Sequence, residues 1–254
     1  YRHCISKLSH LHFTSTETYR QRVIQLGEYP DTVFNVGTLV LDTIQTQSFL
    51  SKSELISKFN LSFNAKNLLI TFHPVTLKEN TCRDFLVLLD CLGALTDTQL
   101  IFTYANADPE GVQINTLIDE FVAEDPAGRH AFKSLGHHNY LSLLHYVDGV
   151  IGNSSSGLLE VPLLNIGTVN IGDRQEGRIR TPSIIDCDPT KDSISSALET
   201  LFSDKFTSQL HGSHSLYGNG NTASKIISIL KEKLPTLSFK KEFYDIQFLI
   251  QGSV

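Results

Sequence analysis

Short, almost entirely apolar runs alternate with longer amphipathic segments along most of the chain. Runs such as residues 68–72 and 149–152 are typical of strands that are buried on both faces of a sheet. Segments such as residues 111–124 place their apolar side chains at helical spacing. The pattern predicts strands at residues 11–13, 33–37, 68–72, 99–104, 132–135, 149–152, 168–171 and 183–187. It predicts helices at residues 5–8, 16–27, 39–60, 82–95, 111–124, 140–147, 158–164, 192–202 and 222–234.

Buried strands that alternate with helices predict an α/β fold built on a doubly wound parallel sheet. Residues 61–238 are long enough to form one such Rossmann-like domain. Residues 1–60 supply too few strands for a second one, so we interpret them as the terminal portion of a preceding α/β domain whose remainder is absent. We expect residues 239–254 to form a C-terminal tail that packs back toward that first domain.

Composition narrows the possible functions. A net charge of −6 argues against sequence-independent binding of nucleic acid, and no apolar run approaches the length of a membrane span. The four cysteines form no C-x-x-C pair, so we expect buried free thiols in a reducing cytoplasm, without disulfides, a metal site or a cofactor. The chain begins with Tyr and contains no Met, which indicates that it is truncated, processed or incompletely given.

In an open parallel sheet, ligands bind beyond the carboxyl ends of the strands, so the residues that follow each predicted strand are candidates. His73 can donate to a phosphate or protonate a leaving group, although a structural His is the alternative. Asn106 opens Asn106-Ala107-Asp108, which an ordinary turn or helix cap would also explain. The loop at residues 134–138 offers backbone amides to a flat base, and its paired histidines lack companions at zinc spacing.

Small hydroxyl residues follow the strand at residues 149–152. Ser154 and Ser155, with the amides of the helix that follows, suit a diphosphate, and Glu160 suits two ribose hydroxyls. An ordinary capped helix is the alternative, and a serine nucleophile is disfavoured because Gly-x-Ser-x-Gly spacing is absent. Three arginines lie within residues 174–180, where they form either an anion clamp or a solvated charged loop. Candidate ligand-binding residues thus follow successive strands of the same predicted sheet, and this coincidence favours a phosphate-bearing ligand.

Several of these motifs resemble the hydrolysing UDP-N-acetylglucosamine 2-epimerases of sialic acid pathways. The resemblance spans nearly the whole chain. Its motifs are Arg2-His3, Lys7-Leu8-Ser9-His10, Phe34-Asn35-Val36-Gly37, His73-Pro74, Asn106-Ala107-Asp108, Gly152-Asn153-Ser154-Ser155-Ser156-Gly157, Glu160-Val161-Pro162, Gly172-Asp173-Arg174-Gln175-Glu176-Gly177-Arg178 and Lys240-Lys241-Glu242-Phe243-Tyr244-Asp245. His137-His138-Asn139 departs from the Gln- and Arg-containing stretch of that family.

The resemblance implies a GT-B-like fold, in which two Rossmann-like domains face a cleft. It also implies a set of UDP-binding residues: His73, Asn106, Leu135 (through its backbone), Ser154, Ser155, Glu160 and Arg174. Arg2 matches an arginine beside the sugar site, so Arg2 and His73 are the implied catalytic residues. The acids that handle the sugar C2 proton lie upstream of Tyr1 in relatives.

The implied reaction converts UDP-N-acetylglucosamine and water to N-acetylmannosamine and UDP. UDP leaves C1, loss of the C2 proton gives a glycal, and water then adds with inversion at C2. The implied partner is a UDP-sugar, and relatives are usually homodimers or larger oligomers such as tetramers. The alternatives are a UDP-2,4-diacetamido-trideoxyhexose substrate, a GT-B glycosyltransferase, or a chain that binds UDP without turnover.

Overall fold

A computed structural model describes residues 1–75, 81–107, 109–210, 216–238 and 240–247. The strands in these ranges are β1 (His12–Thr14), β2 (Val33–Asn35), β3 (Lys66–Thr71), β4 (Thr98–Thr103), β5 (Arg129–Phe132), β6 (Gly149–Gly152), β7 (Gly167–Ile171) and β8 (Ile184–Cys187). The helices are α1 (Arg2–Leu8), α2 (Glu17–Gln25), α3 (Leu39–Thr46), α4 (Lys52–Phe59), α5 (Thr81–Gly93), α6 (Pro109–Glu124), α7 (His137–Leu144), α8 (Ser156–Leu159), α9 (Lys191–Leu201), α10 (Asp204–Gln209) and α11 (Thr222–Lys233).

The chain divides into two compact units. Unit 1 consists of Tyr1–Gln47 with His214–Val254, and unit 2 is Ser48–Ser213. Helix α11, which the sequence analysis assigned to the same domain as the large sheet, packs in unit 1, where Asp42 accepts from the backbone N–H groups of Thr222 and Ala223 at 2.9 and 2.8 Å. The limits of these two units differ from the domain boundaries at residues 60 and 238 that the sequence predicts. Those domain boundaries stay a prediction.

Unit 2 is built on one parallel sheet with the strand order β5-β4-β3-β6-β7-β8. The middle of strand β3 is fully buried, since Leu68, Leu69 and Ile70 have no exposed surface, and Lys66 at its start is exposed. Leu88 and Leu92 of α5 join the same apolar core. A two-sided parallel sheet of this kind requires continuously apolar strands, and the prediction of a doubly wound α/β fold is therefore confirmed.

The strand order reverses beside β3. From β3 the chain winds outward through β4 and β5, and then it crosses to the other side of β3 and winds outward through β6, β7 and β8. The loops after β3 and β6 therefore diverge, and a crevice opens between them at the carboxyl edge of the sheet.

The structure differs from several of the element predictions. Residues 39–60 form two helices, because Ser51 and Glu54 make a reciprocal capping box that starts α4 as a new helix. The strand expected at residues 132–135 lies three residues earlier, as β5, and Leu135 is instead buried in the loop that follows. Helix α10, capped by Ser203, was not predicted.

Unit 1 carries a parallel pair of strands, β1 and β2, beside a buried carboxylate. Glu28 is 1% exposed, and its two oxygens lie 2.6 Å from Lys7 Nζ, 2.9 Å from His12 Nε2 and 2.7 Å from Lys241 Nζ. Lys241 also donates to backbone carbonyls of residues 6, 7 and 9. Burial alone would raise the pKa of Glu28, but hydrogen bonds from Lys241, Lys7 and His12 outweigh it and the pKa is lowered.

This cluster predicts that unit 1 is less stable in acid. Burial lowers the pKa of His12 below 6.5, and repulsion from Lys241 and Lys7 acts in the same direction against the attraction of Glu28. A group with a lowered pKa takes up its proton more readily in the unfolded chain, so its contribution is present above the unfolded pKa and lost as the pH falls through the folded pKa. We expect the free energy of unfolding to decline below about pH 6.5 through His12 and again below about pH 4.5 through Glu28.

The measurement is urea unfolding, followed by circular dichroism, between about pH 7.5 and pH 5.5. His12→Gln should flatten the decline across that interval because Gln does not titrate. An unchanged decline in His12→Gln would assign the acid sensitivity to other groups.

Among the described residues, no helix is both long and apolar enough to cross a membrane. All four cysteines are free thiols, but the expectation that all are buried holds for Cys91 alone; Cys82 and Cys187 are partly exposed, and Cys4 is exposed on α1. Burial raises the pKa of Cys187 to about 12, so this half-buried thiol is held in its neutral form.

Candidate functional site

A cleft of about 280 Å³ lies at the carboxyl edge of the unit 2 sheet, where the strand order reverses. Its walls come from the loops after β3, β4, β5 and β6 and from the start of α7. The lining residues are Thr71, His73, Thr103, Tyr104, Lys133, Ser134, Leu135, Gly136, His137, Tyr140, Ser154, Ser156 and Glu160. Four of the predicted site residues therefore share one cavity: His73, Leu135, Ser154 and Glu160.

A strained turn leads from β6 into the cleft. Gly152 has a φ of +136°, and a Cβ at this position would lie 1.9 Å from the backbone oxygen of Thr71. That oxygen accepts from the N–H of Asn153 at 3.2 Å. Glycine alone fits because the loop after β6 passes directly against the end of β3. The turn therefore brings Ser154 close to the loop that carries His73.

His73 is held through both its backbone and its ring. Its N–H donates to Asn153 Oδ1 at 2.7 Å, and its carbonyl accepts from Asn153 Nδ2 at 2.8 Å. Its Nδ1 accepts from the N–H of Asn106 at 3.3 Å. A neutral imidazole that accepts at Nδ1 carries its proton on Nε2, so the ring is set to donate from that atom.

The loop after β4 places Asn106 beside the His73 ring. Asn115 of α6 holds this loop, because its side chain accepts from the Ala105 N–H at 2.8 Å and donates to the Ala105 carbonyl at 3.4 Å. Gly111 lets the loop approach α6, since a Cβ there would lie 1.9 Å from the Asn106 oxygen. Asn106 thus contacts His73 through its backbone, and its exposed side chain does not line the cleft. Asp108, the third residue of this motif, lies outside the described residues.

The loop after β7 places Arg174 against the turn that follows β6. Arg174 Nη1 donates to the carbonyl of Asn153 at 3.0 Å, and Gln175 Nε2 donates to the same oxygen at 2.7 Å. Arg180, one of the three arginines predicted to clamp an anion, is instead bound within its own loop, with its Nε 2.8 Å from Asp186 and its Nη1 on the carbonyls of residues 175 and 178.

Four predicted residues lie away from the cleft lining: Asn106 and Arg174, described above, and Ser155 and Arg2. Ser155 precedes α8 as its cap residue and makes no side-chain capping bond. Arg2 is exposed on α1 and belongs to unit 1.

The cleft also contains polar groups that the sequence analysis did not select. Burial raises the pKa of Tyr140, whose hydroxyl lies 2.5 Å from Ser156 Oγ. A hydrogen bond to Asp119 is the main cause that raises the pKa of Tyr104 to about 12. Both phenols therefore remain protonated donors near neutral pH. His137 Nε2 lies 3.8 Å from Glu160 Oε1 at the rim.

The described residues contain no group of three or more His, Cys, Asp or Glu side chains arranged to hold a metal ion. The arrangement of the cleft suits an anion. An imidazole and serine hydroxyls line the cleft together with a carboxylate, and a guanidinium is bound to the backbone of the loop after β6.

Two known proteins illustrate the sequence similarity of this chain to its relatives. GDP/UDP-N,N'-diacetylbacillosamine 2-epimerase (hydrolyzing) from Campylobacter jejuni is 42% identical over 206 residues, which are 81% of this chain and 53% of that protein. Polysialic acid biosynthesis protein P7 from Escherichia coli is 37% identical over 251 residues, which are 96% of this chain and 63% of that protein. The chain therefore spans between about half and two thirds of the length of these relatives.

The fold of this chain also matches the folds of solved structures. A structure of S. aureus MnaA with UDP matches with a TM-score of 0.73 at 17% identity, covering 96% of this chain and 64% of that one. A UDP-N-acetylglucosamine 2-epimerase from Listeria monocytogenes matches with a TM-score of 0.72 at 14% identity, covering 95% of this chain and 63% of that one. These matches confirm the predicted GT-B-like α/β fold class. The family model described as UDP-N-acetylglucosamine 2-epimerase matches residues 1–231, and this chain belongs to that family.

Proposed function

We propose that this chain forms the nucleotide-binding part of a hydrolysing UDP-sugar 2-epimerase, and that the cleft between β3 and β6 holds UDP. One observation carries the proposal. His73, Ser154 and Glu160, from two strand-end segments about 80 residues apart in sequence, line a single cavity at the reversal point of the sheet. Arg174 joins them through the carbonyl of Asn153.

The diphosphate would lie at the junction of the loops after β3, β6 and β7. The hydroxyl of Ser154 and the imidazole of His73 supply neutral donors there, and the guanidinium of Arg174 supplies positive charge. Ser155 and Asn106 would contribute backbone groups from the same loops. No cofactor or metal is needed in this arrangement.

The nucleoside would occupy the rest of the cleft. Glu160 is 21% exposed at the rim, where its two oxygens suit the two hydroxyls of a ribose. The segment from Leu135 to His137, with the N–H groups at the start of α7, would face the base. Arg2, in unit 1, remains our candidate for a contact with the sugar.

The reaction proposed for the whole protein begins with departure of UDP from C1, which places negative charge on the diphosphate. Fixed donors aimed at that charge stabilise the transition state more than the ground state. The neutral His73 ring would contribute as a hydrogen-bond donor from Nε2 to the leaving oxygen and would keep its proton. Loss of the C2 proton then gives a glycal, and water adds with inversion at C2.

We propose two candidate sugars. UDP-N-acetylglucosamine would give N-acetylmannosamine, a precursor of sialic acid, and the E. coli relative is named for polysialic acid. UDP-N,N'-diacetylbacillosamine is favoured by the names of the C. jejuni relative and of a Legionella pneumophila relative that is 32% identical over 231 residues. We further propose a cytoplasmic location, in keeping with the free thiols, and a homo-oligomer as the working state.

The first experiment is isothermal titration of the chain with UDP. We expect a Kd well below about 1 mM, which corresponds to a binding free energy more favourable than about −4 kcal/mol. Glu160→Gln should weaken this binding, and Glu199→Gln, at an exposed position of α9, is the matched control that should not. Absence of UDP binding would contradict the proposal.

A second experiment separates the sugars and the reaction classes. Proton and phosphorus NMR time courses with each UDP-sugar would reveal released UDP and an inverted free sugar. Transfer to an added acceptor sugar, in place of hydrolysis, would identify a glycosyltransferase. UDP binding without turnover would limit the chain to the binding role.

His73→Ala should separate binding from chemistry. We expect UDP affinity to fall about tenfold at most, because one neutral hydrogen bond is lost, and turnover of the whole enzyme to fall about a hundredfold. Steady-state kinetics beside UDP titration gives both numbers. An unchanged kcat, with the loss confined to UDP affinity and KM, would make His73 a binding residue only.

A further inference from the structure

Asn153 lies where three strand-end loops meet, and its side chain is almost fully buried. Asn153 is 1% exposed. Its N–H donates to Thr71 at the end of β3, and its carbonyl accepts from both Arg174 and Gln175 after β7. Its backbone therefore fixes the spacing of these loops.

The side chain of Asn153 extends the pairing of β3 with β6. The ladder of the two strands ends at the pair Thr71 and Gly152. One residue further on, the Asn153 amide both accepts from the N–H of His73 and donates to its carbonyl, at 2.7 and 2.8 Å. A primary amide can make both bonds at once, whereas a carboxylate accepts only and an alkyl side chain makes neither.

The bonds of Asn153 determine the orientation of the His73 imidazole and of the Arg174 guanidinium. The backbone of His73 is clamped by Asn153, so its ring can reach the Asn106 N–H, and this bond to Nδ1 favours the tautomer of the neutral ring that carries its proton on Nε2. The carbonyl of the same asparagine anchors Arg174. A single residue thus sets the positions of the imidazole and of the guanidinium.

We infer that Asn153 is a positioning residue that holds His73 and Arg174 around the diphosphate of a nucleoside-diphosphate ligand. The inference rests on the proposed function for the identity of that ligand. Asn153 does not line the cleft and acts through its neighbours. Its buried amide serves the alignment of the site in addition to the stability of the fold.

The test compares Asn153, which follows β6 and contacts the end of β3, with a buried asparagine at the start of β3. Asn67 is 6% exposed at the start of β3, where its side chain bonds the backbone of Asn64 and the carboxylate of Asp148. Asn153→Ala and Asn67→Ala each remove a hydrogen-bonded buried amide. Asn153→Asp keeps the shape of the side chain but loses the donor to the His73 carbonyl. It therefore tests the same role if Asn153→Ala does not fold.

Two readouts are needed on the intact chain. The first is the Kd for UDP, which we expect to rise about tenfold or more in both Asn153 variants and less than about twofold in Asn67→Ala. The second is the pair of ¹⁵N imidazole shifts of His73 in the chain without UDP, assigned with His73→Gln. These shifts should change in the Asn153 variants, because the imidazole loses its fixed tautomer, and stay unchanged in Asn67→Ala.

The outcomes separate the inference from the proposed function. If the unsubstituted chain does not bind UDP, the proposed function fails, and the His73 shifts still decide whether Asn153 positions the ring. If UDP binds but the Asn153 variants keep both affinity and shifts, the positioning role is overturned. Equal losses of affinity in Asn67→Ala and Asn153→Ala would likewise overturn it, because both would then act through stability alone.

Discussion

Replacing Gly152 by alanine is expected to destabilise unit 2 by more than about 4 kcal/mol, enough to abolish soluble expression or lower the melting temperature severely. The new Cβ would meet the Thr71 carbonyl at 1.9 Å, and that carbonyl belongs to the backbone of the central strand. The contact cannot be relieved by rotating a side chain. The φ of +136° adds backbone strain that alanine does not tolerate.

Gly172→Ala is the matched control for this substitution. Gly172 also has a positive φ, +72°, at the end of a neighbouring strand, but a Cβ there would meet nothing within 4 Å. We expect it to cost only about 1–2 kcal/mol, the conformational penalty for a left-handed residue. Thermal unfolding by circular dichroism compares the two variants. Similar melting temperatures would mean that the close approach at Thr71 does not limit the turn.

Glu28→Gln is expected to destabilise unit 1 by about 3–5 kcal/mol. The carboxylate is 1% exposed and is the shared partner of Lys7, His12 and Lys241. Removing its charge leaves the ammonium groups of two lysines close together without a counter-charge. The three partners come from α1, β1 and the C-terminal segment, so the whole unit should respond.

The measurement is amide hydrogen exchange of residues 1–47, which reports the opening free energy of unit 1 separately from that of unit 2. Glu232→Gln is the control, because Glu232 is 71% exposed and its pairing with Lys233 should contribute less than about 1 kcal/mol. Equal protection in the two variants would show that the buried cluster contributes no more than a surface ion pair.

The large sheet could be predicted from sequence because parallel strands that are buried on both faces are continuously apolar. Residues 149–152 were predicted as a strand and form β6, and the strands at 68–72 and 99–104 differ from β3 and β4 only at their ends. The site followed from one rule, that ligands bind at the carboxyl ends of such strands. That rule selected His73, Ser154 and Glu160, which the structure places in one cleft.

What could not be predicted depends on contacts between residues distant in sequence. Leu135 was placed in a strand because it is apolar, yet it is buried within the loop between β5 and α7. Asn153 stood inside a serine-rich motif, and nothing local indicated that its amide pairs with a backbone 80 residues away. Arg180 resembled Arg174 in sequence, but only the fold shows that Asp186 neutralises it.

The central claim is that His73, Ser154, Glu160 and Arg174 surround one nucleotide. The most direct test is a crystal structure of the chain grown with UDP. We predict the β-phosphate within hydrogen-bond distance of His73 Nε2 and Ser154 Oγ, the Arg174 guanidinium beside the same phosphate, and the ribose hydroxyls on Glu160. UDP bound at another surface, with these four side chains in contact with solvent only, would contradict the account.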